Sequence, residues 1–215
     1  MREIVRCNGL SLALFALFLV SIVGQALAGW YALGEELAID GHAAPDFRSY
    51  LSTGHFLSAT FENWESEFLQ MTVYVVLTAV LIQRGSPESR NPDENPKEPD
   101  ACRASAPWPA RKGGVWLRLY AHSLSITLLA LFGLSFWLHL FGSTRRANEQ
   151  ALLHAQPVMT AAERLVDPEF WYESSQNWQS EFLSICALVV LAIFLRERGS
   201  PESKPVHAPH SQTGG

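Results

Sequence analysis

Hydrophobic residues along this chain are gathered into four blocks separated by polar stretches. Leu10 to Ala28 holds no charged residue, and at about 1.5 Å per residue it reaches roughly 28 Å as a helix, close to the hydrocarbon thickness of a bilayer. A second uncharged block covers Leu124 to Gly142. Two shorter blocks, Phe68 to Gln83 and Phe182 to Leu195, fall short of the roughly 20 residues a crossing helix needs. They reach that length if the Asn-Trp-rich segments before them join the same helices, with tryptophan and polar residues at the interfacial ends. A backbone in lipid must satisfy its own hydrogen bonds. The pattern therefore predicts an all-α membrane protein with four transmembrane helices, spanning about 10–28, 63–82, 123–142 and 177–195.

The blocks repeat. Shifting the chain along itself by 114 positions aligns residues 10–89 with 124–203 without a gap and matches about 26 of the 80 positions, far above chance for this composition. The densest matches are NWESEFL at Asn63 to Leu69 against NWQSEFL at Asn177 to Leu183, and RGSPES, identical at Arg84 to Ser89 and Arg198 to Ser203. The expected organisation is a first two-helix repeat at 1–90, a linker at 91–117, a second two-helix repeat at 118–204 and a disordered tail at 205–215. An even number of spans per copy sends both copies into the membrane in the same direction, as a parallel pseudo-dimer. The linker is richest in Pro, Asp, Glu and Asn between Asn91 and Pro109, a composition that stays solvated.

Composition changes the picture only through its distribution. Mean hydropathy is +0.06 and net charge −5, but the charges are sorted. With both termini and the linker on one side, that side holds Arg2, Arg6, Arg84, Arg90, Lys97, Arg103, Arg111, Lys112, Arg118, Arg196, Arg198 and Lys204. The other keeps only Arg48, Arg145, Arg146 and Arg164. The positive-inside rule then makes the termini and linker cytoplasmic in a multi-pass protein of the inner (cytoplasmic) membrane. A rival reading of the amino end is a signal peptide, with Arg2 and Arg6, an apolar stretch and Ala26-Leu27-Ala28. Its repeat partner Leu124 to Gly142 is internal, which favours retention as a span.

Both outer loops end in aromatic clusters, and Trp64, Trp171 and Trp178 suit the headgroup region. Short interfacial helices are expected in these loops. The candidate polar or ion site is Asn63, Ser66 and Glu67 with Asn177, Ser180 and Glu181, because spacings of three and four share one helical face. Facing copies would bring Glu67 and Glu181 together, where two carboxylates compete for a proton, a property useful for cation passage. The same residues also fit a helix start, with Asn as the cap and Glu in the first turn. The repeated cytoplasmic motif, Arg84, Gly85, Ser86, Pro87 and Glu88 with Arg198, Gly199, Ser200, Pro201 and Glu202, fits helix termination and leaves open a contact between the copies or with a partner.

Enzyme chemistry has no visible anchor. Cys7, Cys102 and Cys186 show no CxxC spacing, and Cys186, inside a span, reads as a small packing residue. The histidines show no HExxH spacing, His139 aligns with Gln25 as a candidate interhelical hydrogen bonder, and Gly24 and Ala28 form a small-xxx-small pair. No GxSxG, phosphate loop or nucleotide fingerprint occurs. The expectation is no enzyme, no metal, no cofactor and no nucleic-acid partner. The partners are the lipid bilayer and either a membrane protein or a second copy in a homo-oligomer. A structural or interaction role leads, a small ion or proton channel or transporter using Glu67 and Glu181 is the alternative, and a membrane enzyme comes last.

With these motifs in view, the chain resembles a family of small bacterial membrane proteins classed only as a domain of unknown function. The resemblance covers nearly the whole chain and rests on CNGLSL at Cys7 to Leu12, TGHFLSATFENWESEFLQ at Thr53 to Gln70, APWP at Ala106 to Pro109, RGSPESKP at Arg198 to Pro205 and APHSQTG near the end. It implies a bacterial inner-membrane location and transfers no catalytic residue.

Overall fold

The computed structural model describes residues 2–91 and 106–214, the first five of these as backbone only. Lys97, Cys102, Arg103 and most of the expected linker lie outside the described residues, as do the side chains of Arg2 and Arg6. Among the described residues there are eight helices and no strand: α1 Arg2–Ile39, α2 Phe47–Tyr50, α3 Gly54–Val80, α4 Trp108–Lys112, α5 Gly114–Ala121, α6 Ser123–Leu153, α7 Ala161–Val166 and α8 Pro168–Phe194. The chain divides into two compact units, Met1–Phe61 with Trp137–Phe170, and Glu62–Phe136 with Trp171–Gly215.

Element boundaries recur at the spacing found in the sequence. α1 and α6 end at Ile39 and Leu153, α2 and α7 begin at Phe47 and Ala161, and α3 and α8 run from Gly54 and Pro168 to Val80 and Phe194. Asn8 (φ −125°, ψ 18°) kinks α1, and His122 (φ −114°, ψ 10°) separates α5 from α6 in nearly the same conformation. The loop helices keep their caps although the sequence there has diverged. Asp46 accepts from the Arg48 and Ser49 amides, and Thr160 forms a capping box with Glu163. These short helices stand in the two loops where the sequence predicts short helices.

Cys7–Ile39, Ser123–Leu153 and Pro168–Phe194 are long and apolar enough to cross a membrane. α3 is not among them. Its first half carries Glu62, Glu65 and Glu67, and it stops at Val80, short of the expected end at residue 82, leaving Leu81 and Ile82 outside the helix. α1 and α6 run about three turns past the expected span ends at 28 and 142. In the segment 91–117, expected to be linker throughout, residues 108–112 and 114–117 are helical, and Lys112 sits 5.0 Å and 4.9 Å from the rings of Trp108 and Trp116.

Polarity is reversed relative to a water-soluble fold. Among the described residues the buried apolar side chains are Ala26, Tyr50, Phe170 and Ala192, whereas Ser58, Glu65, Gln70, His139 and Arg164 are buried polar groups. Leu10, Val20 and Leu183 are each at least 65% exposed. So much uncovered aliphatic surface is costly in water and costs nothing against lipid. Cys186, expected to pack, is likewise exposed on α8.

In the first unit, glycine sets helix approach. A Cβ on Gly54 would run into the Arg146 backbone of α6, and one on Gly142 would stand 2.6 Å from the Ser58 amide nitrogen. The expected Gly24 and Ala28 pair plays no such part: Gly24 has open space around it and both residues are exposed. Gly54 starts α3, and its amide is satisfied by the Glu149 carboxylate at 2.9 Å. Tyr50 is buried with its hydroxyl against Gly29 and 3.2 Å from His55 Nδ1. The residues 114 positions on do the same job with other chemistry: buried Arg164 donates to Ser143 Oγ at 2.9 Å and to Glu169 at 2.9 Å. Glu36 and Gln150, also 114 apart, are hydrogen bonded to each other at 3.3 Å.

Candidate functional site: a polar seam on helices α3 and α8

In the second unit, the portions of α3 and α8 that follow Phe61 and Phe170 carry polar side chains that bond across from one helix to the other. Glu65 is fully buried and accepts the Trp178 indole N–H at 3.0 Å. Asn177 donates its amide to the Glu62 carboxylate. Gln70, also buried, donates to the Glu181 carbonyl at 2.8 Å and to the Ser184 hydroxyl at 3.1 Å. Each bond links the two copies of the sequence repeat. Without competing water such bonds hold helices together, although each is worth only about 1 kcal/mol.

Glu67 and Glu181 lie within electrostatic reach of one another, so that the Glu181 charge acts on Glu67. The rest of the expected face does not converge. Asn63 and Glu67 are exposed and Ser180 is exposed, while Ser66 is buried. Ser66 and Ser180 each close back on the carbonyl three residues earlier, Asn63 and Asn177, at 2.8 Å. The helix-start account of these residues is corrected by the helix boundaries. α3 begins at Gly54 and α8 at Pro168, so Asn63 and Asn177 sit more than two turns inside and cap nothing.

The buried carboxylate is Glu65, which the three-and-four spacing passed over. A signal for it lies in the repeat itself: Glu65 against Gln179 is the single difference between NWESEFL and NWQSEFL. Of the three tryptophans assigned to the interface, Trp178 is tied into this seam, with its ring 6.2 Å from that of Trp171. Trp171 is 40% exposed and Trp64 half-buried.

The two RGSPES segments are one turn made twice. Gly85 and Gly199 take φ +85° and +86°, which only glycine adopts without strain. Ser89 accepts from the Gln83 amide at 2.8 Å and Ser203 from the Glu197 amide at 2.9 Å. Ser86 and Ser200 accept from the Glu88 and Glu202 amides. These bonds close the turns that follow α3 and α8, which explains Gly and both Ser positions.

The turns differ in cover. Gly85, Ser86 and Pro87 are buried, whereas Gly199 and Pro201 are exposed and Ser200 is partly so. The cause is residues 205–214, which fold back where a disordered tail is expected. Lys204 Nζ holds them by donating to the carbonyls of Pro209, His210 and Gln212. The Gly85 amide then donates to Thr213 Oγ1 and the Gly214 amide to the Ser86 carbonyl. Enclosure of the Lys204 ammonium, and then the nearby Arg196, lowers its pKa from the ordinary lysine value.

Glu88 and Glu202, equivalent residues of the two turns, face one another. Burial, a hydrogen bond to Glu202 and the charge of Glu202 push the Glu88 carboxyl up to about 7. Between the ends of α3 and α8 lies a cavity of about 320 Å³ lined by Tyr74, Glu88, Cys186 and aliphatic side chains.

The first unit holds a cavity of about 370 Å³ bordered by Glu36, His55, Arg146 and Glu149. Burial first, then Arg146, lowers the His55 pKa against the opposing pull of Glu36 and Glu149. His139 is fully buried, its ring 4.8 Å from Phe170, and Gln25 donates to Thr60 Oγ1 at 3.3 Å. Among the described residues no group of three His, Cys, Asp or Glu side chains is placed to hold a metal.

The family model described as domain of unknown function (DUF6766) matches residues 1–215. The chain belongs to this family. No curated protein and no solved structure matches it.

Proposed function

We propose that this family member is a four-span protein of the bacterial cytoplasmic membrane, two tandem two-helix copies arranged as a parallel pseudo-dimer, with a structural or interaction role. The observation that carries the arrangement is that residues 114 positions apart touch their own equivalents: Glu36 with Gln150, Gln70 with Ser184, and Glu88 with Glu202. A residue meets its own copy only beside a two-fold axis, so these pairs support repeats related by such an axis in each unit. α3 is the repeat equivalent of α8, which supports reading it as the fourth span although its first half is too polar by composition alone. Both termini and the linker are cytoplasmic in this reading, and the polar side chains serve to join helices.

Reporter fusions test the topology. Fusions near residue 100 and at the carboxyl end are expected on the same cytoplasmic side; opposite sides would end the four-span reading. A cation or proton pathway is favoured by one observation, the proximity of Glu67 to Glu181 beside buried Glu65. It requires cation flux in proteoliposomes that drops when Glu67 and Glu181 become Gln. Flux that the double substitution leaves unchanged discards it.

A further inference from the structure

We propose that the cavity at the carboxyl ends of α3 and α8 is a binding site for a small hydrophobic amine in its protonated form, held by Glu88 and Tyr74. Its walls are aliphatic: Leu77, Leu81 and Ile82 on one side, Ile185, Val189 and Val190 on the other. At about 320 Å³ it lies at the small end of the range for ligand pockets. Two polar atoms of its lining, Tyr74 Oη and Glu88 Oε1, are buried and have no hydrogen-bond partner beyond the proton that the Glu88 carboxyl can share with Glu202. Buried polar groups are nearly always paired, so two orphans lining one cavity mark where a ligand's polar atom belongs.

Neighbouring hydroxyls do not compete for that role. Thr78 Oγ1 donates to the Tyr74 carbonyl at 2.9 Å, and Ser86 and Ser89 are taken by the Glu88 and Gln83 amides.

Charge selects the class of ligand. Glu88 and Glu202 can share one proton, yet at least one negative charge remains at that end of the cavity once the pair begins to ionise. Among the described residues no lysine or arginine lines the cavity to neutralise it. An anion is repelled, and a hydrated metal ion would find aliphatic walls in place of the oxygen ligands it needs. An ammonium fits: it donates to the carboxylate and to the tyrosine oxygen while its hydrocarbon body lies against Leu, Ile and Val. A phospholipid amine fits less well, because its phosphate would lie beside the two carboxylates with no cation to hold it. The occupant is therefore a free small amine.

The test uses the full chain in detergent and three probes of one shape: 2-phenylethylamine, neutral 2-phenylethanol and anionic phenylacetate, titrated calorimetrically at pH 7.5. The amine is expected to bind saturably, the alcohol about tenfold more weakly and phenylacetate not at all. Glu88→Gln should weaken the amine roughly tenfold or more, and Tyr74→Phe by a few-fold, with gel-filtration profile and helix content unchanged. Val189→Phe keeps every charge and should abolish binding by filling the cavity. Cys186 lines the same cavity and is exposed, so in a chain lacking Cys7 and Cys102 the amine should slow its alkylation. Equal affinity for the three probes, amine binding unaffected by Glu88→Gln or Val189→Phe, binding without protection of Cys186, or competition by phosphatidylethanolamine in nanodiscs would each overturn the assignment.

Discussion

Glu88 and Glu202 occupy the same position in two copies of one turn, and their proximity makes folding depend on pH in a direction opposite to most carboxylates. The Glu88 pKa rises from an ordinary 4.5 to about 7 because burial and the Glu202 carboxylate both disfavour its charge. The folded chain therefore holds this proton more tightly than the unfolded chain does. Its contribution to stability is complete below about pH 4.5 and disappears as the pH climbs through 7. Each pKa unit is about 1.4 kcal/mol, which sets an upper bound near ~3.5 kcal/mol; Glu88 is partly solvated, and screening leaves roughly 1–2 kcal/mol. For a chain of this length that corresponds to a fall of about 2–8 °C in Tm between pH 5 and pH 8.

His55 works against this trend, since its lowered pKa makes stability rise with pH up to its unfolded value near 6.5. The discriminating quantity is thus the difference between wild type and Glu88→Gln, followed by tryptophan fluorescence during heating in detergent. The amide replaces the shared proton, so the variant should lose this part of the pH dependence and exceed wild type in Tm at pH 8. If Glu88→Gln shows the same change between pH 5 and pH 8 as wild type, the carboxyl pair is not what the chain titrates.

Other consequences can be measured in the same way. Gly54→Ala and Gly142→Ala should each cost about 1–3 kcal/mol, because the added methyl meets backbone, whereas Gly24→Ala in open space should stay within about 0.5 kcal/mol in SDS titration. Arg164→Ala removes a buried fork bonded to Ser143 and Glu169 and should lower stability by roughly 2–4 kcal/mol, with Arg164→Lys failing to restore it, read as Tm. Lys204→Met breaks three ammonium-to-carbonyl bonds and should release the carboxyl-terminal segment, seen as fast amide exchange at Thr213 and Gly214 and rapid trimming by carboxypeptidase. Trp178→Phe leaves the buried Glu65 without its indole donor and should cost about 1–3 kcal/mol by the same Tm measurement.

Patterning anticipated an all-helical chain with long apolar helices, because apolar runs without charge have few other solutions in lipid, and element boundaries recur at the 114-position spacing read from the sequence. It also singled out RGSPES, whose Gly and Ser residues are needed for a positive φ and for capping amides, local requirements written in local sequence. Where the helices start was hidden. α3 and α8 begin at Gly54 and Pro168, about nine residues before the apolar runs suggested, since Gly54 draws its cap from Glu149, 95 positions away. For the same reason Asn63 and Asn177 looked like caps and are mid-helix residues.

Which carboxylate is buried depended on the partner helix: Glu65 is enclosed because Trp178 offers an N–H, and Glu67, two positions on, points to the exposed side. The replacement of Tyr50 and Gly29 by Arg164 and Ser143 leaves no trace in an identity count, because a large residue over a small one is conserved as a filled volume and not as a letter. Sequence thus determined the periodic, local features of this protein. Tertiary structure decided which polar groups meet, because pairing across helices is set by contacts between residues far apart in the chain.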